Sequence, residues 1–328
     1  MKVGLIDVDG HNFPNLCLMK LSAWHKAQGD LVEWYEPLTS GHMDKVYMSK
    51  VFSFTPDYPF EIDADEIVRG GSGYRIHLVN GIETYDKEND APLPYEIEHI
   101  YPDYSIYYGK VIGIEDTAHG FLSRGCPRGC DFCHVACKEG KRAYKVADLD
   151  EFWHGQKNIC LYDPNITATR ECLDLFDQLI ESKARVEFNQ GLDIRMMTKE
   201  KAEKLKQMKV DRLHFAWDRY QDKELVLPKL ETFKSTYGGN RGSLTVYVLC
   251  NFGSTIEQDL ERCYTIRELG YTPYVMIYNK ESLPKGHTIR KLQRYVNSPW
   301  IFFSDECKTF EDYQHNKPPE DENQLSFF

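Results

Sequence analysis

The 328-residue chain has a mass of 38.3 kDa, and 41% of its residues are hydrophobic, enough for a packed core of one large domain with or without a smaller partner. It carries 40 Lys and Arg against 51 Asp and Glu, a net charge of -11, which argues against broad electrostatic binding to nucleic acid or anionic membranes. No apolar run reaches the roughly 18 residues of a membrane span, and the first residues, MKVGLIDVDG, lack the basic and apolar regions of a signal peptide. We therefore expect a cytoplasmic protein with no membrane partner.

Strand and helix patterns alternate over residues 1–85 and predict a small Rossmann-like α/β domain there. Asn15 is placed to cap a helix that ends at Gly29. A Pro- and Tyr-rich segment over residues 86–116 predicts an ordered connector. The strand patterns of this first domain are Lys2–Val8, Asp44–Ser49 and the apolar part of Asp65–Tyr74.

Six further strand patterns alternate with helical patterns over residues 117–303, and an extension with an acidic tail follows over residues 304–328. Thr255 and Gln258 form a capping-box pattern that opens one of the helices. Repeated β-α units predict a parallel sheet curled toward a barrel, with helices outside and ligands at the carboxyl ends of the strands. The six strand patterns are Gly120–Arg124, Asn158–Asp163, Arg185–Gln190, Arg212–Trp217, Leu244–Leu249 and Thr272–Tyr278.

Four of the ten cysteines lie within twelve residues. Because a reducing compartment keeps thiols free, clustered cysteines are better metal ligands than disulfide partners there. Cys126, Cys130 and Cys133 are spaced C-x3-C-x2-C, so their thiolates can meet on one side of a compact loop. A tetrahedral zinc ion usually takes two separated ligand pairs, and the sequence has no second C-x-x-C. Zinc stays open, since Cys137 and His134 could complete a local set of four ligands.

The segment from Gly120 to Cys133, GFLSRGCPRGCDFC, resembles the cluster loop of the radical S-adenosylmethionine (SAM) superfamily. The match includes the Ser-Arg-Gly-Cys-Pro lead-in and the aromatic Phe132 before the last cysteine, and the resemblance extends over roughly residues 113–303. It implies a partial (β/α)6 barrel in which the three cysteines hold three irons of a [4Fe–4S] cluster, while the fourth iron binds SAM. One electron then cleaves SAM to methionine and a 5'-deoxyadenosyl radical. The motif is complete without Cys137, which we predict not to be a ligand.

The resemblance also implies which residues hold SAM. Asp163 and Asn165 occupy the place where relatives bind its amino group, and Arg195 can grip its carboxylate by paired hydrogen bonds. Asp218 would lie near the ribose. As an alternative, Asp163, Asp193 and Asn251 only cap the helices that follow their strands. The full set is Phe132, Asp163, Asn165, Gln190, Asp193, Arg195, Asp218 and Asn251, with Phe132 near the adenine.

The first domain resembles a shortened cobalamin-binding domain, the module that precedes the barrel in one branch of the superfamily. Asp9 to Pro14, DGHNFP, is similar to its Asp-x-His-x-x-Gly motif, with Pro14 in place of the last glycine. This resemblance implies His11 as a cobalt ligand. The alternative is a degenerate layer that covers the barrel or helps to recognise substrate.

These features favour a cytoplasmic radical SAM enzyme, an oxidoreductase or transferase, supplied with electrons by a donor such as flavodoxin or ferredoxin. Two alternatives stay open: a cobalamin-dependent radical SAM methyltransferase, and a zinc- or iron–sulfur-binding module without catalysis. The substrate could be an RNA base, a peptide side chain or a small metabolite, and the acidic balance tilts slightly away from RNA. The sequence assigns no catalytic side chain.

Overall fold

The fold is mixed α/β with mostly parallel strand pairing, which confirms the predicted α/β class. No helix in the described part of the chain is both long and apolar enough to cross a membrane. The computed structural model describes residues 1–10, 13–79, 82–306 and 308–315. The chain divides into two compact units: a first unit of Met1–Gln190 with Lys204–Asp211, and a second unit of Gly191–Glu203 with Arg212–Phe328.

The first unit begins with a four-stranded parallel sheet in the order β2-β1-β3-β4. The predicted strands Lys2–Val8 and Asp44–Ser49 are confirmed within one residue at each end, and β2 was not predicted because four residues are too few to show a period. The sheet comprises β1 (Lys2–Asp7), β2 (Leu31–Trp34), β3 (Met43–Ser49) and β4 (Ala64–Gly70).

One helix packs on this sheet, and its start was predicted correctly. Asn15 Oδ1 accepts a hydrogen bond from the Leu18 N–H at 3.3 Å and so caps α1 (Leu16–Ala27). Val3 and Leu5 of the sheet form a core cluster with Leu18 of the helix. Removing these side chains from water stabilises the layer by roughly 1.5–3 kcal/mol for each. The antiparallel pair β5 (Ile76–Val79) and β6 (Ile82–Tyr85) ends the predicted first domain, and the connector that follows contains α2 (Tyr95–Glu98).

A three-stranded parallel sheet in the order β11-β10-β7 completes the first unit. The helix that follows its middle strand packs on one face, where the Phe176 ring contacts the Phe188 ring at 6.1 Å. A short antiparallel ribbon of β8 and β9 lies outside this sheet. The elements are β7 (Thr117–Gly120), β8 (Ser123–Arg124), α3 (Val135–Glu139), β9 (Tyr144–Lys145), β10 (Asn158–Leu161), α4 (Cys172–Ser182) and β11 (Arg185–Phe188).

The strand predicted at Gly120–Arg124 is wrong in its bounds. The sheet strand is β7, which ends where the prediction begins, and Ser123–Arg124 pair with Tyr144–Lys145 instead. The sequence of β7, TAHG, contains no run of apolar residues, so the hydrophobic pattern does not indicate a strand there. Gly120 is required there by packing, since a Cβ would lie 2.6 Å from carbons of the Phe152 ring.

The second unit contains another three-stranded parallel sheet, in the order β12-β13-β14. Its three predicted strands are confirmed to within one residue at every end. The capping box of Thr255 and Gln258 is confirmed too, with both reciprocal hydrogen bonds present. The elements are α5 (Lys199–Leu205, with residues in both units), β12 (Leu213–Ala216), α6 (Lys223–Tyr237), β13 (Leu244–Cys250), α7 (Ile256–Glu268), β14 (Thr272–Ile277), α8 (Thr288–Val296), α9 (Pro299–Phe302) and α10 (Phe310–His315).

Candidate functional site

The cysteine loop connects β8 to β9, the two strands of the antiparallel ribbon, in which Arg124 lies opposite Tyr144. Gly125 has a φ of +75°, and a Cβ there would lie 2.1 Å from the Arg142 carbonyl oxygen, so only glycine fits this close approach. Glu139 accepts hydrogen bonds from the Gly125 N–H at 2.8 Å and from Arg124 Nη1 at 2.9 Å. The base of the loop is therefore held by tight backbone packing and by a charge-assisted pair of hydrogen bonds.

The three motif cysteines lie between Gly125 and α3. The Cys133 N–H donates to the Cys130 carbonyl oxygen at 3.0 Å, which forms a turn between the second and third cysteines. Cys133 is exposed at the surface. The pKa of its thiol is raised, mainly because protein atoms partly bury the sulfur and to a smaller extent because the Cys130 and Cys126 thiols lie nearby. The Cys130 and Cys126 thiols therefore lie close enough to Cys133 to act on its ionisation.

Two further residues of this loop have distinct positions. The Cys137 thiol donates to the His134 carbonyl oxygen at 3.0 Å, which turns it back onto its own helix. Phe132 is half-buried beside Cys133. Gln190, predicted to contact SAM, is exposed two residues after the end of β11.

Asp163 connects the end of β10 to the chain that leads into the cysteine loop. Its carboxylate accepts hydrogen bonds from the Ser123 N–H at 2.5 Å, the Ser123 hydroxyl at 2.6 Å and the Leu122 N–H at 3.2 Å. Burial raises the pKa of Asp163 to about 6, and the bonds from Ser123 act in the opposite direction. Both carboxylate oxygens are used in positioning the loop, and a contact with SAM stays a prediction.

Asn165, only 3% exposed, touches the first motif cysteine directly. Its Nδ2 donates to Cys126 Sγ at 3.4 Å, while its Oδ1 accepts from the Ala168 N–H at 3.2 Å and caps a short 3-10 helix. The same side chain therefore serves both the backbone and the loop. Sequence reasoning anticipated the residue but not this sulfur contact.

In the second unit, Arg195 lies between two carboxylates. Its Nε donates to Asp193 Oδ1 at 2.7 Å and its Nη1 to Asp222 Oδ2 at 3.0 Å. Burial opposes the charge of Arg195, and the two carboxylates more than offset this effect, so its pKa is raised. Asp193 also caps the 3-10 turn Ile194–Met196, which confirms the capping alternative for this residue. Asp222 was not predicted.

Asp218 and Asn251 follow the carboxyl ends of neighbouring strands of the same sheet. Burial raises the pKa of Asp218 to about 6, while the charges of Arg195 and Arg262 lower it. Asn251 has a φ of +63°, and its Nδ2 donates to the Tyr278 carbonyl oxygen at 2.9 Å. Asn251 thus ties the end of β13 to the residue after β14 rather than capping a helix.

Sequence reasoning missed Arg262, which is fully buried in α7. Its guanidinium donates to the carbonyl oxygens of Trp217 at 2.6 Å, Asp218 at 2.9 Å and Leu249 at 2.9 Å, and to Asp259 Oδ1 at 2.5 Å. It therefore joins the end of β12 to the end of β13. An Asp and an Arg three residues apart on a helix usually indicate a surface ion pair, so the sequence signal was misleading.

A single metal ion and a [4Fe–4S] cluster require different arrangements of ligands. In the part of the chain that the structure describes, no three His, Cys, Asp or Glu side chains form a group that could hold a metal ion. A [4Fe–4S] cluster makes a different demand, because its thiolate ligands bind separate iron atoms. The loop offers three free cysteine sulfurs, which are soft ligands once deprotonated, and an Asn165 N–H directed at the Cys126 sulfur, so its donor set fits such a cluster.

At the carboxyl edge of the N-terminal sheet, residues after β1 and β4 contact the loop after β3. Asp9, after β1, accepts hydrogen bonds from the Phe52 N–H at 3.2 Å and the Thr55 hydroxyl at 2.6 Å, both in the loop after β3. Gly71, after β4, packs so tightly that a Cβ would lie 2.3 Å from the Lys50 carbonyl oxygen. Asp9 and Gly71 are thus engaged with the protein's own loop after β3, an arrangement that does not favour a cobalamin at these two residues. His11, its predicted cobalt ligand, lies outside the described residues.

A scan against protein-family models finds no match for this sequence, and a comparison with curated proteins finds none. The function must therefore be inferred from the site residues. They form one group in each unit: Cys126, Cys130, Cys133, Asp163 and Asn165 in the first, and Asp193, Arg195, Asp218 and Asp222 in the second.

Proposed function

We propose that this chain is a radical SAM enzyme whose Cys126, Cys130 and Cys133 hold a [4Fe–4S] cluster. The main support for this proposal is the C-x3-C-x2-C loop, whose first cysteine accepts a hydrogen bond from Asn165. Asn165 follows the end of β10. Asp163 anchors the entry to the same loop. A loop held at two points by a neighbouring strand end is suited to keeping three thiolates in a fixed arrangement.

When bound, the cluster supplies the electron that cleaves SAM to methionine and a 5'-deoxyadenosyl radical, which takes a hydrogen atom from the substrate or adds to it. Arg195 is the proposed partner of the SAM carboxylate, because Asp193 and Asp222 use its Nε and Nη1 and hold the guanidinium in one orientation. Asp218, ionised above a pH of about 6, is the proposed acceptor for the ribose hydroxyls.

We further propose the partial (β/α)6 barrel that the sequence resemblance implies. Three features within the two three-stranded parallel sheets support this. The strands follow one another in chain order, all of their pairings are parallel, and helices of 11, 15 and 13 residues connect β10 to β11, β12 to β13 and β13 to β14. The predicted residues follow the carboxyl ends of the strands, where such barrels bind ligands. The proposed setting is the cytoplasm, with flavodoxin or ferredoxin as electron donor.

Anaerobic reconstitution with iron and sulfide tests the proposal. We expect about four irons and four sulfides per chain, a change in the electron paramagnetic resonance (EPR) spectrum of the reduced protein when SAM is added, and release of 5'-deoxyadenosine. Stable zinc binding without any nucleoside product would instead identify a binding module. A cluster whose EPR spectrum does not change when SAM is added would contradict the proposal as well.

A further inference from the structure

The Asn165 side chain is held in one orientation by its neighbours. Its Oδ1 accepts from the Ala168 N–H at 3.2 Å and from the Thr167 hydroxyl at 2.8 Å. A backbone N–H can only donate, so the amide atom that faces Ala168 must be the oxygen. The amide nitrogen is consequently the atom that faces Cys126 Sγ, 3.4 Å away.

The donor side of this contact is buried, and Cys126, the acceptor, is half-buried. Asn165 is 3% exposed and Thr167 fully buried, so water competes little for these hydrogen bonds. A sulfur accepts hydrogen bonds more strongly as a thiolate than as a thiol, because the acceptor then carries a charge. Asn165 is thus placed to stabilise negative charge on Cys126.

We propose that Asn165 raises the reduction potential of the cluster by donating a hydrogen bond to the Cys126 thiolate. The inference rests on the proposed function. Reduction adds one electron, supplied by an external reductant such as dithionite, and breaks no bond; the added negative charge spreads onto the sulfur ligands. A hydrogen bond to a ligand sulfur stabilises the reduced state more than the oxidised one, which raises the potential.

The test is an EPR-monitored redox titration without SAM, so that SAM binding cannot contribute. Asn165→Leu removes the donor at similar size, and we expect reduction to become at least tenfold less favourable, a fall of about 59 mV for one electron. Asn165→Asp keeps an oxygen for Ala168 and Thr167 but places a carboxylate against the sulfur. Its potential should fall further.

Asn158→Leu is the matched control, because it makes the same substitution at the opposite end of β10, where Asn158 bonds the Asp116 carbonyl oxygen. It should leave the potential unchanged. If the wild-type protein forms a SAM-responsive cluster and both Asn165 variants keep its potential, the inference fails while the proposed function stands. If the wild type forms no cluster, the proposed function itself fails. Loss of iron from both Asn165 variants alone would show a requirement for assembly, which also overturns a tuning role.

Discussion

Arg262 and Asp259 form an ion pair on α7, Nη2 to Oδ1 at 2.5 Å, with neither side chain exposed. The same guanidinium holds the carbonyl oxygens that end β12 and β13. A pair buried in this way is weak evidence for stability, yet breaking it by removing one partner leaves an uncompensated charge in the core. Arg262 is therefore a residue on which the edge of this sheet depends.

Replacing Arg262 by Met should lower the free energy of unfolding by about 3–5 kcal/mol, since Asp259 loses its cation and two strand ends lose their shared donor. Urea unfolding measures this. Glu261→Gln is the control, because Glu261 lies on the same helix and pairs with Lys223 at 2.5 Å, where both side chains are over a third exposed. Its cost should stay below about 1 kcal/mol. Equal costs for both variants would contradict the assigned role.

Gly125→Ala should destabilise the cysteine loop more than the same change at Gly155. Both glycines have positive φ, which costs an L-residue about 1–2 kcal/mol. A Cβ at Gly155 meets nothing within 4 Å, whereas one at Gly125 would overlap the Arg142 carbonyl oxygen. Thermal unfolding and iron content after reconstitution should both separate the variants. Equal losses of thermal stability and iron content in Gly155→Ala and Gly125→Ala would contradict the assigned packing role of Gly125.

The pKa of Asp163 predicts a pH dependence of stability. It is raised from 3.8 to about 6 by burial, so from pH about 4 to 6 the folded chain retains a proton that the unfolded chain releases. Folding stability of the wild type should therefore fall, relative to Asp163→Asn, as pH rises through this window and level off above it. Urea titrations from pH 4 to 8 give the difference between the two proteins. A difference that does not change with pH would count against the burial effect.

Cys137→Ala should retain the full iron and sulfide content, because its thiol already donates to the His134 carbonyl oxygen and the other three cysteines complete the motif. Cys126→Ala is the matched variant and should lose most of the iron, together with 5'-deoxyadenosine release. Both quantities are measured after anaerobic reconstitution. Iron loss in Cys137→Ala comparable to that in Cys126→Ala would make Cys137 a ligand.

Titration with hydroxocobalamin should leave the absorption spectrum of the vitamin unchanged. At the carboxyl edge of the N-terminal sheet, Asp9 and Gly71 already contact the loop after β3, so these contacts would have to break to admit the vitamin there. A saturable spectral change at equimolar protein would show that this loop moves aside, and would favour the cobalamin-dependent methyltransferase.

Local features of this protein could be predicted from its sequence with good accuracy. The Asn15 cap, the capping box at Thr255 and most strands depend on neighbours only a few residues away, and they are found where expected. The predictions were weaker at short polar strands, as with β7, whose residues carry no apolar period. There the pairing with β10 decides the structure, and pairing is a property of distant segments.

The sequence by itself determined the α/β alternation, the helix caps and the spacing of the three cysteines, because each follows from short-range geometry. Only the tertiary structure decided what Asp163, Asn165 and Arg262 do. Asp163 meets Ser123 40 residues earlier, Asn165 meets Cys126 39 residues earlier, and Arg262 meets Trp217 45 residues earlier. A buried polar group must find a partner wherever the fold places one, and that partner depends on which strand ends become neighbours.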